Sequence, residues 1–160
     1  MSSLTHQRAE AVPALHASTD SEATSSAFAT FSHPVFLMVN NLETGGTERQ
    51  FAEMARGLAA SGVPVHLGCL LNKGPFADGL GEIAEFQLGG SLYGMQSIRS
   101  RWRLQRHLRK LDVVLAHAFD FYTNLTLIPA AKLAGIRVLG SHRQIGDLLT
   151  PAQFRAQLAV

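Results

Sequence analysis

The run Val35-Phe-Leu-Met-Val39 is apolar at every position. A strand with one wet face alternates apolar and polar residues, so an unbroken run points to a strand covered on both sides. The residues after it constrain the fold further. The polar stretch Asn40–Thr44 leads to Gly45-Gly46 and then to a helix start, with Thr47 expected as N-cap and Gln50 three residues on, in capping-box spacing. Strand, glycine turn and helix start together make an anion site. Glycine lets the backbone approach a phosphate and adopts turns that strain a β-branched residue, while free N–H groups and the helix dipole favour negative charge. The plainer alternative is a βα turn whose glycines serve only tight geometry.

From Pro34 onward, apolar runs alternate with amphipathic stretches. Strands are expected at Val35–Val39, Val65–Leu71, Ala84–Leu88, Val113–His117 and Arg137–Ser141. Helices are expected between them. Thr47–Ser61 puts Phe51, Met54, Ala55, Leu58 and Ala59 on one face, with Gly62 at C′. Met95–Leu111 and Tyr122–Ala134 come next, and Gly135 ends the latter. Pro129 should kink or break that helix, and Pro151 suits N1 of a last one. This alternation gives an α/β fold: a parallel sheet with helices on both faces, whose ligands bind beyond the carboxyl ends of the strands. The segments to inspect are therefore Asn40–Thr47, Asn72–Gly74, His117–Asn124 and Ser141–Gly146.

Composition narrows the function classes. With 160 residues, 46% apolar and 16% charged, the chain suits one globular domain. Residues 1–33 read as a disordered leader without the apolar segment of a signal peptide, and 34–160 as the domain. No apolar run approaches the roughly 20 residues a membrane-crossing helix needs. The single cysteine, Cys69, sits in an apolar run and reads as a small buried hydrophobe in a reducing, cytoplasmic compartment. A formal charge of +2 does not imply nucleic acid.

Several chemistries lack their motifs. There is no phosphate-binding Gly-x-x-x-x-Gly-Lys loop and no Gly-x-Ser-x-Gly elbow. Gly79-Leu-Gly-Glu-Ile-Ala84 matches a dinucleotide fingerprint only by chance, because no apolar strand precedes it. The seven histidines show no zinc-ligand spacing, and no metal site is expected. Two histidines remain at strand ends. His117 closes Asp112-Val-Val-Leu-Ala-His117, and His142-Arg143 comes after the next strand. Such a histidine either caps its strand or donates to a sugar hydroxyl or phosphate. Arg99, Arg103, Arg106 and Lys110 form one basic stripe, with Ile98, Trp102 and Leu108 expected to turn toward the sheet. The stripe reads as a solvated face or as a peripheral contact with anionic lipid at the inner membrane face.

In this order these pieces resemble the N-terminal domain of family 4-type glycosyltransferases, retaining enzymes of the GT-B fold. The matching stretches are 41–49 (Asn-Leu-Glu-Thr-Gly-Gly-Thr-Glu-Arg), 58–65 (Leu-Ala-Ala-Ser-Gly-Val-Pro-Val), 112–117, Asn124 and 140–143 (Gly-Ser-His-Arg). The resemblance implies a Rossmann-like domain forming the acceptor-side half of an enzyme that moves a sugar from a nucleotide-diphosphate sugar to a glycan, lipid or small-molecule acceptor. It needs no metal or other cofactor. The resemblance puts Gly45, Gly46 and Arg49 at the donor diphosphate and acceptor, His117 beside the donor sugar as the catalytic contact, and Asn124, His142 and Arg143 on the acceptor side. Leu115 departs from a paired-histidine pattern found in many members. The paired-glutamate motif of the nucleotide-holding second domain is missing, since no glutamate follows Glu85. The expectation is a truncated chain, inactive alone. A catalytically silent Rossmann-like interaction module is the alternative.

Overall fold

The computed structural model describes residues 33–141, with Thr150 and Arg155. The leader apart from His33, the pair His142 and Arg143, and the start of the helix expected at Pro151 lie outside the described residues.

Five strands form one sheet: β1 (Val35–Val39), β2 (Val65–Cys69), β3 (Ile83–Glu85), β4 (Leu115–Ala118) and β5 (Arg137–Gly140). Their order is β3-β2-β1-β4-β5, and every neighbouring pair is parallel. Three helices connect them: α1 (Gly46–Ala60), α2 (Met95–Lys110) and α3 (Phe121–Ala134). This is the expected Rossmann-like architecture, with the strand order reversing direction between β1 and β4.

β1 is buried at all five positions because both its faces are covered. Leu37 and Val39 pack with Phe51 and Ala55 of α1, while Phe36 and Met38 pack with Leu104 and Leu108 of α2 and Leu127 of α3. Gly68 on β2 is the register partner of Met38, and a Cβ there would collide with the Phe36 ring. That ring meets Phe86 and His107 edge-on, at 6.5 and 6.0 Å between centroids. Burying aromatic rings in this way is a large part of what folding gains. Cys69 is buried as expected, and desolvation pushes its thiol up to about 12, so it stays a neutral hydrophobe.

Four expectations need correcting. First, α1 begins at Gly46 with Gly45 as N-cap, and no side chain caps it, so Thr47 lies inside the helix. Second, α1 buries Phe51, Ala52 and Ala55, whereas Met54 and Ala59 are exposed. Its contact arc centres on Phe51, whose ring meets Phe119 at 5.4 Å. Third, α3 runs unbroken through Pro129. A proline there withholds the N–H that would serve the Leu125 carbonyl, and Arg101 Nε of α2 donates to that carbonyl at 3.2 Å instead. Fourth, Ile98 and Trp102 face solvent, while Leu108 alone of that group reaches the core.

Candidate functional site

All five strands point the same way, so the loops after β1, β2, β3 and β4 share one edge of the sheet. The loops after β1 and β4 are tied together there. Phe119 donates its N–H to the Met38 carbonyl at 3.0 Å, and Asn40 donates its N–H to Asp120 Oδ2 at 2.8 Å. Asp120 also caps α3. Its Oδ1 accepts from the Thr123 N–H at 3.0 Å, and Thr123 Oγ1 lies 3.0 Å from the Asp120 N–H, completing a capping box. Burial raises the Asp120 pKa, and the hydrogen bonds from Thr123 and Asn40 pull the other way. One carboxylate therefore starts a helix and closes the crevice between two strand ends.

The loop after β1 is held by the loop after β2. Leu42 donates to the Lys73 carbonyl at 2.9 Å, and Phe76 donates to the Leu42 carbonyl at 3.1 Å. Gly74, at φ +130°, passes so close that a Cβ would overlap the Leu42 carbonyl and the Glu43 nitrogen. Glycine is required here. At the expected positions it is not required for conformation. Gly45 is extended at φ −165°, and Gly46 is an ordinary helical residue with open space around it. What the pair provides is clearance: among the described residues a Cβ at Gly46 would meet nothing, and one at Gly45 would meet only Glu48, which folds back against it. Arg49 is exposed on the same turn, its N–H bonded to the Gly45 carbonyl at 3.1 Å.

His117 lies in register between Leu37 of β1 and Leu139 of β5. It is half-buried, its ring 4.3 Å from that of Phe119, which in turn meets Phe51 of α1. The imidazole is thus connected to the helix that the glycine pair starts. His117 Nε2 is 2.7 Å from Ser141 Oγ, and Asn124 Nδ2 donates to the Ser141 carbonyl at 2.9 Å. Two of the expected site residues therefore converge on Ser141, the residue just before His142 and Arg143. Asn124 is only 3% exposed, and its Oδ1 has no hydrogen-bond partner among the described residues.

A cavity of about 460 Å³ opens at the same edge, on the side of α2 and α3. Asn40, Leu70, Leu71, Leu88, Leu92 and Tyr122 are among its walls. Asn40 and Tyr122 belong to segments flagged from the sequence. The wall after β3, from Gln87 to Leu92, was not foreseen, although Gly89-Gly90-Ser91 is a turn signal directly after a strand. Arg101 Nη2, donating to the Leu92 carbonyl at 3.0 Å, fixes this wall to α2. The Gly79-x-Gly81 stretch lies in the approach to β3 and starts no helix. Among the described residues, no group of three His, Cys, Asp or Glu side chains could hold a metal ion.

No curated protein matches the sequence. The sequence profile of Glycosyltransferase Family 4 matches it over residues 44–154, from the loop before α1 to beyond β5.

Proposed function

Since the chain belongs to glycosyltransferase family 4, we propose that residues 34–160 form the acceptor-side domain of a retaining GT-B enzyme using a nucleotide-diphosphate sugar. The observation that supports this best is that the uncapped α1 amino end and the cavity both stand at the carboxyl edge of the sheet, with His117 one residue before the end of β4. In this reading the α1 N–H groups and dipole meet the negative charge that grows on the departing diphosphate. Fixed dipoles aimed at developing charge are among the largest contributors to enzymatic rate. Arg49 adds a cation on the same turn, and Glu48 swings out as the diphosphate arrives. His117 donates a hydrogen bond to the donor sugar, held in position by Phe119 and Ser141. Asn124 acts through Ser141 to set the 142–143 loop on the acceptor side, and the cavity takes a glycan, lipid or small-molecule acceptor. No metal or other cofactor enters this scheme.

Positioning a donor and an acceptor needs two walls of a cleft. The 160-residue chain alone should turn over no nucleotide-sugar, and fusion to a nucleotide-binding domain of the same family should restore transfer. The test is a panel of nucleotide-diphosphate sugars with the product's anomeric configuration read by NMR. A product of retained configuration is expected. Inversion would sink the retaining assignment, and transfer by the chain alone would sink the half-enzyme reading.

A further inference from the structure

Helix α2 carries arginine or lysine at positions 99, 101, 103, 106, 109 and 110 and has no aspartate or glutamate. Three of these cations are engaged with the protein. Arg101 is bonded to the Leu125 and Leu92 carbonyls, Arg103 donates to the Glu85 carbonyl and lies 5.3 Å over the Phe86 ring, and Arg109 Nη2 donates to the Leu133 carbonyl at 2.8 Å. Arg99, Arg106 and Lys110 have no hydrogen bond or ion pair among the described residues and are exposed. Their i, i+7, i+11 spacing puts them on one face.

Beside that cationic arc lies an apolar one. Met95, Ile98 and Trp102, at i, i+3 and i+7, are 69%, 45% and 59% exposed, and Tyr93 just before the helix is 76% exposed. Burying these side chains against the sheet is not an option, because Ser97, Ser100, Leu104 and Leu108 already fill the inward face. The helix is therefore amphipathic twice over, once toward the core and once within its outer surface. Large apolar groups left together on a surface mark an interaction site.

We propose that this outer face of α2 seats the protein on an anionic lipid bilayer. Tyr93, Met95, Ile98 and Trp102 enter the boundary between headgroups and acyl chains, where aromatic side chains are favoured. Arg99, Arg106 and Lys110 meet the anionic headgroups. Nucleic acid offers the same phosphate charge but no place for Met95 and Ile98, and one indole makes no row of stacked bases. A second copy of the chain would set like charges against each other. No helix among the described residues is long and apolar enough to cross a membrane, so the contact is a peripheral one. The docking goes beyond the sugar-transfer reading and stands or falls separately from it.

Trp102 is the only tryptophan in the chain, so the proposed contact carries its own reporter. The experiment compares Trp102 emission with phosphatidylcholine vesicles and with vesicles containing phosphatidylglycerol, adding brominated acyl chains as a depth-dependent quencher. A blue shift and quenching are expected with the anionic vesicles only, and both should fade as salt rises. The variant Arg99→Glu/Arg106→Glu/Lys110→Glu keeps Trp102 and the core-facing residues. It should partition at least about tenfold more weakly at unchanged melting temperature. Emission that ignores both vesicles, an equal response to both, or undiminished binding by the variant would overturn the proposal. So would a concentration-dependent shift without vesicles accompanied by dimers in sedimentation, because the face would then belong to self-association.

Discussion

Arg101 Nε donates to the Leu125 carbonyl at 3.2 Å, the carbonyl that Pro129 leaves without its helical partner. The same guanidinium reaches Ser97 Oγ at 2.8 Å and the Leu92 carbonyl at 3.0 Å, and burial lowers its pKa. One side chain thus satisfies a carbonyl inside α3 and bonds the cavity wall. Arg101→Met should lower stability by about 2 kcal/mol, because it strands partly buried acceptors. Pro129→Ala restores the missing N–H, so in that background the cost of Arg101→Met should shrink by about 1 kcal/mol. A double-mutant cycle by urea unfolding measures this. Strict additivity would show that the two residues are not coupled.

Asp120 joins the crevice to a helix cap. Asp120→Ala removes the capping box and leaves the Asn40 N–H without its acceptor. A lost cap costs about 1 kcal/mol and an unmet part-buried donor up to about as much again, so a loss of about 1–2 kcal/mol is expected. Hydrogen exchange should show the opening concentrated at the β1 loop and the first turn of α3. Uniform loosening of the sheet would contradict the local account.

The glycines divide into those the backbone needs and those it does not. Gly74→Ala should cost at least about 2 kcal/mol, since it combines φ +130° with overlap on the backbone of Leu42 and Glu43. Gly46→Ala should stay within about 0.5 kcal/mol of the parent in thermal melts, because the position is helical and open. Equal losses at the two positions would refute this division. In the sugar-transfer reading, Gly46→Val keeps the fold but obstructs the diphosphate, so turnover falls while the melting temperature does not.

His107 sets a pH dependence. Burial is the main cause that lowers its pKa from 6.5, aided by His66, Lys110 and Arg103 and opposed by Glu82; its ring lies 5.4 Å from Phe86. The unfolded chain therefore binds more protons than the folded one between the lowered value and 6.5. Stability from this group is accordingly complete above about pH 6.5 and is lost as pH falls toward the folded pKa. The difference in melting temperature between parent and His107→Phe should narrow or reverse as acid is added. A difference independent of pH would remove His107 as the cause.

Much of the architecture is legible in the sequence because hydrophobic periodicity is local. Val35–Val39 needs no tertiary information, and every expected strand has a counterpart, several of them shortened at one end. The features that escape depend on distant partners. Pro129 reads as a breaker until Arg101, far along the chain, is known to serve Leu125. Thr47 satisfies the capping pattern, yet the helix starts one residue earlier with no side-chain cap. Asp120 does cap its helix, and its Asp-x-x-Thr sequence differs from the Ser/Thr-x-x-Glu/Gln pattern that marks a capping box. Hydrophobicity alone sends Trp102 and Ile98 to the sheet, whereas the inward face of α2 is made by Ser97, Ser100, Leu104, Gln105 and Leu108. Gly45, Gly46 and Arg49 follow the carboxyl end of β1 and His117 lies one residue before the end of β4, because a parallel sheet points every strand the same way. The cavity wall after β3 escapes notice because β3 is short and only half-buried, which leaves a weak pattern.

The most direct test of sugar transfer at this edge is the turnover of His117→Ala, measured together with its melting temperature in the chain fused to a nucleotide-binding domain. If His117 donates to the donor sugar, turnover should fall about 10²-fold, the cost of a lost transition-state hydrogen bond, with the melting temperature nearly unchanged. His117 also lies 2.7 Å from Ser141 Oγ, and that contact supplies the opposing forecast. Near-normal turnover with a stability loss of about 1 kcal/mol would make His117 a structural clamp and contradict its place in the site.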